Sequence, residues 1–133
     1  MICASVCLLF DIYRFPFLSL KSYSALFGKR GAGHTVLQAD CPDTAIEVAT
    51  RHTGVIPLIV SDVVLPEMSG PSVVGKLQRL HPEMRALYVS GYAEVPVAQQ
   101  LIAAGAILLQ KPVSRKDLLA KVDDILHPRT SDN

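Results

Sequence analysis

The sequence predicts an α/β protein built on a single doubly wound parallel sheet of the (βα)5 kind, with an atypical first strand and helix. Three observations carry that expectation. From Gly33 onward, short β-branched or aliphatic runs alternate with stretches of helical period, the signature of a βα succession. The run over residues 56–60 is almost unbroken in hydrophobicity, as a strand covered on both faces should be. The last three apolar runs also lead into polar residues, Asp62, Ser90 and Lys111, about one βα unit apart.

Each element has its own local reason. Residues 6–10 form an apolar run that can serve as a first strand ending at Asp11. Residues 34–38 are the first clear strand. Asp40 as N-cap and Pro42 as an early helical proline start a helix running to about Arg51, with Ala45, Ile46 and Ala49 on one face and Gly54 beyond its end. The strand over 56–60 stops at Ser61 and Asp62. Ser69, Gly70 and Pro71 open the next helix, whose Val73, Val74, Leu77 and Leu80 recur at helical spacing before Pro82. Residues 86–89 form a strand ending in Ser90. A helix over about 97–104 stops at Gly105, and residues 107–110 form a strand delivering Lys111 and Pro112. Ser114 and Asp117 are spaced as a capping box for a last helix striped by Leu118, Leu119, Val122, Ile125 and Leu126.

Composition narrows the function classes. A chain of 133 residues that is half hydrophobic fits one domain with a substantial core. Thirteen basic against 12 acidic residues leave a formal charge of +1 with no basic stripe, which argues against nucleic acid. Cys3, Cys7 and Cys41 are odd in number and lack the spacing of a zinc site or redox dithiol, so they read as free thiols in a reducing cytosol. Asp11, Arg14 and Pro16 interrupt the apolar N-terminus, which excludes a signal peptide or membrane span and predicts a soluble, cytoplasmic protein. His34, His52, His81 and His127 show no metal-ligand spacing.

In open parallel sheets, ligands bind beyond the carboxyl ends of the strands, so Asp62, Ser90 and Lys111 converge if their strands are neighbours. A carboxylate can attack phosphorus, a hydroxyl can donate to a phosphoryl oxygen, and an ammonium can balance the added charge. None of the three is informative alone: an Asp after a strand is usually a turn residue, Ser90 a cap, Lys111 a solvated surface lysine. Tyr88 and Tyr92 read as packing residues.

Four stretches together resemble the response-regulator receiver domains of two-component signalling, over residues 33–126 and in a variant similar to receivers of hybrid sensor kinases. They are the run from Ser61 through Asp62 and Pro66 to Gly70, the strand ending in Ser90-Gly91-Tyr92, the strand ending in Lys111-Pro112, and the amphipathic last helix. The resemblance implies a flavodoxin-like, CheY-like fold, with a receiver over residues 1–127, residues 1–32 as its divergent first βα unit, and a flexible tail over 128–133. It further implies a phosphorelay function in which Asp62 takes a phosphoryl group from a histidine kinase or histidine phosphotransfer protein. Magnesium would be held by Asp62 and the backbone carbonyl of Val64, Ser90 and Lys111 would stabilise the product, and Pro112 would be cis. No enzymatic turnover of a separate substrate is implied beyond self-phosphorylation and autodephosphorylation. A homodimer is compatible with the family; a nucleic-acid or membrane partner is not expected.

Two departures qualify that reading. Receivers end their first strand with adjacent acids that hold the metal, whereas Asp11 is the only acid before Gly33, and Arg14, Phe15, Pro16 and Phe17 follow it. The absence of the pair should weaken magnesium. Either Asp11 partly replaces the pair, or the domain is a degenerate receiver acting as a phosphorylation-independent interaction module, or the first ~30 residues come from another start or reading frame. The second departure is Leu108, where many receivers carry an aromatic whose rotation reports phosphorylation. An aspartyl phosphohydrolase is the competing enzyme class, but it needs an acid two residues after the nucleophile, where Val64 stands.

Overall fold

The computed structural model describes residues 5–10, 34–39, 41–65, 68–91 and 95–129. Their order is β1 (Ser5–Phe10), β2 (His34–Ala39), α1 (Pro42–Arg51), β3 (Leu58–Asp62), α2 (Gly70–Leu80), β4 (Arg85–Ser90), α3 (Val95–Ala103), β5 (Ile107–Gln110) and α4 (Arg115–Leu126). The five strands form one sheet in the order β2-β1-β3-β4-β5, and every ladder is parallel. The α/β doubly wound class expected from the alternating pattern is the observed one.

β1 lies inside the sheet, with Cys7 opposite Val36 of β2 on one side and Leu58 of β3 on the other. It ends at Phe10, the residue before Asp11. Asp11 itself, with Asp40, Tyr92 and residues 130–133, lies outside the described residues.

The helix at 42–51 corrects one expectation. Its N-cap is Cys41 rather than Asp40, because the residue preceding a proline is driven out of the helical region. Cys41 is accordingly extended, at φ −148 and ψ 163, with Pro42 in the first turn. The Cys41 side chain makes no capping bond to the backbone and instead meets the Thr44 hydroxyl at 3.0 Å.

β3 also sits later than its hydrophobicity implies, at Leu58–Asp62 instead of 56–60. Proline at position 57 has no N–H to offer a ladder, while pairing with β4 continues through the polar Ser61 and Asp62, opposite Tyr88 and Val89. Hydrogen bonding, and not hydropathy, decides where this strand stops. α3 starts at Val95, two residues before the expected 97, with Pro96 tolerated in the first turn. It closes in a Schellman motif: Ala106 N–H donates to the Leu101 carbonyl, Gly105 N–H to that of Ile102, and Gly105 supplies the required φ of +87. Ser69 and Ser114 cap α2 and α4 as expected, accepting from the N–H groups of Ser72 and Asp117.

Alternation along the strands divides the core between the two faces. Ile59, Val63 and Tyr88 pack with Ala45 and Ala49 of α1 and Val73 and Leu77 of α2. Leu58, Val60, Leu87 and Val89 pack with Leu118, Val122 and Ile125 of α4, whose i, i+4, i+7 spacing lines one stripe. No helix among the described residues is long and apolar enough to cross a membrane.

Tyr88 is 6% exposed, and burial pushes its hydroxyl above the ordinary value of 10.0. The folded chain then holds this proton more tightly than the unfolded chain does. That contribution to stability is complete below the unfolded value and is lost as the pH climbs through the folded one. Tyr88→Phe is expected to flatten the alkaline decline, read as a smaller difference between urea midpoints at about pH 9 and about pH 11.

Candidate functional site

Parallel register brings the ends of β3, β4 and β5 level. Asp62 lies opposite Val89, Val89 opposite Leu109, and Ser90 opposite Gln110. Lys111 follows β5, and its N–H donates to the Ser90 carbonyl at 2.8 Å, which ties the start of the loop to the end of β4. The Lys111–Pro112 bond is cis.

From there the lysine side chain crosses β4. Its Nζ lies 3.1 Å from Asp62 Oδ1, although β5, which Lys111 follows, and β3, which Asp62 ends, are not neighbours. Adjacent strands are about 4.8 Å apart, so only a long side chain spans the gap. Asp62 is 6% exposed, and an ionised carboxylate that buried needs a compensating charge. The ammonium supplies it. Ser90, 3% exposed, occupies the intervening strand end. The structure therefore brings together the three strand ends singled out from the sequence, with Asp62 and Lys111 in direct contact.

The turn after Asp62 is held just as closely. Val63 N–H donates to the Val89 carbonyl at 3.1 Å, and Gly70 N–H donates to the Val63 carbonyl at 2.7 Å, folding α2's start back over the strand end. Val64 and Ser69 pair as an isolated antiparallel bridge across this turn. Gly70 comes so near that a Cβ there would lie 2.0 Å from the Asp62 carbonyl oxygen. Composition alone did not mark Gly70 as more than a helix opener, nor Ser61 as more than the end of an apolar run. Ser61 is completely buried, and its hydroxyl donates to the Asp62 carbonyl at 2.9 Å.

The Asp62 carboxylate and the Val64 backbone carbonyl are both oxygen donors of the class that magnesium takes. The Gly70–Val63 hydrogen bond that closes the turn does not use the Val64 carbonyl. Among the described residues, no three His, Cys, Asp or Glu side chains cluster to hold a metal. The donor set thus fits magnesium with one carboxylate and one carbonyl, and Asp11, the further acid expected from the sequence, lies outside the described residues. Leu108, at the position expected of an aromatic, lies opposite Tyr88 and packs against its cluster.

Comparison with known proteins agrees with this fold. Residues 18–123 match the family profile described as the response regulator receiver domain, so the match begins ahead of Gly33. The sensor kinase CckA of Brucella abortus is 39% identical over 95 residues, covering 71% of this chain and 10% of that protein. The response regulator protein TmoT of Ectopseudomonas mendocina is 38% identical over 65 residues, 48% of this chain and 30% of TmoT. The chain thus spans less than a third of the length of these relatives. A response regulator receiver domain protein from Clostridium thermocellum superposes with a TM-score of 0.76 at 21% identity, covering 92% of this chain and 94% of that one, and so shares the fold.

Crowding at Gly70 has a measurable consequence. Gly70→Ala is expected to lower stability by about 2 kcal/mol, as overpacking does, seen as a reduced urea midpoint. Gly75→Ala, where nothing lies within 4 Å of the added methyl, should leave the midpoint unchanged or raise it.

Proposed function

Because the chain belongs to the response regulator receiver domain family, we propose that Asp62 is its phosphoacceptor and that Ser90 and Lys111 stabilise the phosphorylated state. The observation that carries this reading is the buried Asp62 carboxylate held 3.1 Å from the Lys111 ammonium at the carboxyl edge of the sheet. The phosphoryl donor is a histidine kinase or a histidine phosphotransfer protein. A carboxylate oxygen of Asp62 bonds to phosphorus as the P–N bond of the phosphohistidine breaks. The electron pair returns to the imidazole nitrogen. Lys111, already at the carboxylate, offsets the incoming negative charge, and the Ser90 hydroxyl donates to a phosphoryl oxygen.

Magnesium, when bound, would supply positive charge that offsets the incoming phosphoryl group; Asp62, the Val64 carbonyl and Asp11 would hold it. With one acid in place of an adjacent pair, its affinity is low. Residues 1–127 form the receiver in this reading, the protein is cytoplasmic, a homodimer is compatible with it, and the chemistry is limited to self-phosphorylation and autodephosphorylation. The apolar Val64, 53% exposed, cannot act as an acid or base in hydrolysis.

Intact mass after incubation with acetyl phosphate over a range of magnesium concentrations tests the proposal. Wild type is expected to gain one phosphoryl group and Asp62→Asn none. Wild type without an adduct at high magnesium would overturn phosphoryl transfer and leave an interaction module. Asp11→Ala in the same titration is expected to raise the half-saturating magnesium concentration several-fold; an unchanged value removes Asp11 from the metal site.

A further inference from the structure

Ser61 is a hydroxyl in a place that packing alone would give to an alanine. It is 0% exposed within a strand whose five residues are all buried, and Ile59 and Val63 flank it in the apolar cluster under α1 and α2. A buried hydroxyl costs free energy unless it is hydrogen-bonded, whereas alanine would fill nearly the same space at no such cost. The hydroxyl spends its bond on one atom, the backbone carbonyl oxygen of Asp62, at 2.9 Å.

That oxygen is confined from a second direction. A Cβ on Gly70 would lie 2.0 Å from it and 3.1 Å from Ser61 Oγ, so the Gly70 backbone, Ser61 hydroxyl and Asp62 carbonyl occupy one tight volume. The Asp62 carbonyl defines the plane of the peptide that joins Asp62 to Val63. Rotation of that plane about the Cα–C bond of Asp62 would change how the following backbone stands relative to the Asp62 carboxylate. It would also carry Val64, two residues on, with it.

We propose that Ser61 is a positioning residue for phosphoryl transfer, fixing the Asp62–Val63 peptide so that the Asp62 carboxylate and the Val64 carbonyl keep their mutual orientation. The inference rests on Asp62 being the phosphoacceptor. Ser61 touches neither phosphorus nor the leaving group: with acetyl phosphate, an Asp62 oxygen bonds to phosphorus, the P–O bond to the acetyl group breaks, and acetate departs with the electron pair. What the hydroxyl contributes is alignment, to which group transfer is steeply sensitive.

The full chain, as wild type, Ser61→Ala and Ser61→Thr, is phosphorylated by acetyl phosphate at saturating magnesium, and each variant is unfolded in urea. Ser61→Ala is expected to lower the maximal rate about threefold to tenfold, the scale of one ordinary hydrogen bond. The half-saturating acetyl phosphate concentration should stay at its wild-type value, while the urea midpoint falls modestly because the Asp62 carbonyl loses a partner. Ser61→Thr, which retains the hydroxyl, should recover most of the rate. An unchanged maximal rate in Ser61→Ala overturns the inference, as does a Ser61→Thr rate that stays as low as that of Ser61→Ala. If wild type takes no phosphoryl group at all, the reading of Asp62 falls and this inference with it. The two failures are therefore told apart by wild type alone.

Discussion

Everything at the carboxyl edge of this sheet depends on the parallel register of β3, β4 and β5. Their ladders set Asp62, Val89 and Leu109 in one row, and Lys111 leaves β5 two residues beyond that row. A slip of one residue in either ladder would turn the affected strand over, sending apolar side chains to the wrong face and the charged ends apart. The register is secured by the two apolar clusters, which accept alternate residues of each strand. Leu58 and Val60 go to the α4 side, Ile59 and Val63 to the α1 and α2 side. The ion pair between Asp62 and Lys111 is thus a product of hydrophobic packing on both faces. It costs desolvation at both ends and is tolerated because packing has already brought the two strand ends within reach.

Much of this was legible in the sequence because it rests on periodicity and on residues with strong local preferences. The short apolar runs of the strands, the stripe of Leu118, Val122 and Ile125, the Gly105 stop and the two serine caps all express short-range rules. The polar residues at the ends of apolar runs pointed to the site for the same reason, since a charge at the end of a buried strand is conspicuous. Where the reading slipped, a longer-range or backbone effect decided. β3 extends through Ser61 and Asp62 because β4 offers them partners, which hydropathy does not record. Cys41 displaces Asp40 as cap because the following proline controls its dihedral angles.

Ser61 and Gly70 escaped notice for a different reason. Both act through backbone atoms of Asp62, and small residues near a turn are common enough to carry little information by themselves. Only the three-dimensional meeting of the Gly70 backbone, the Ser61 hydroxyl and the Asp62 carbonyl gives them meaning. The site consequently has two layers. Asp62, Ser90 and Lys111 stand at the carboxyl edge of the sheet, while Ser61 and Gly70 close on the Asp62 backbone beneath them.

The position of β1 between β2 and β3 has a consequence for how the chain reaches this state. Its partners in β3 lie about 50 residues away along the chain, so these contacts close a long loop before they return any stabilisation. β2 follows more closely and can pair first. During synthesis the opposite edge of β1 then waits, with its backbone donors and acceptors exposed, until Leu58, Ile59 and Val60 emerge. A strand that is interior to the finished sheet is for that interval an open edge, the kind of surface on which strands of other molecules add.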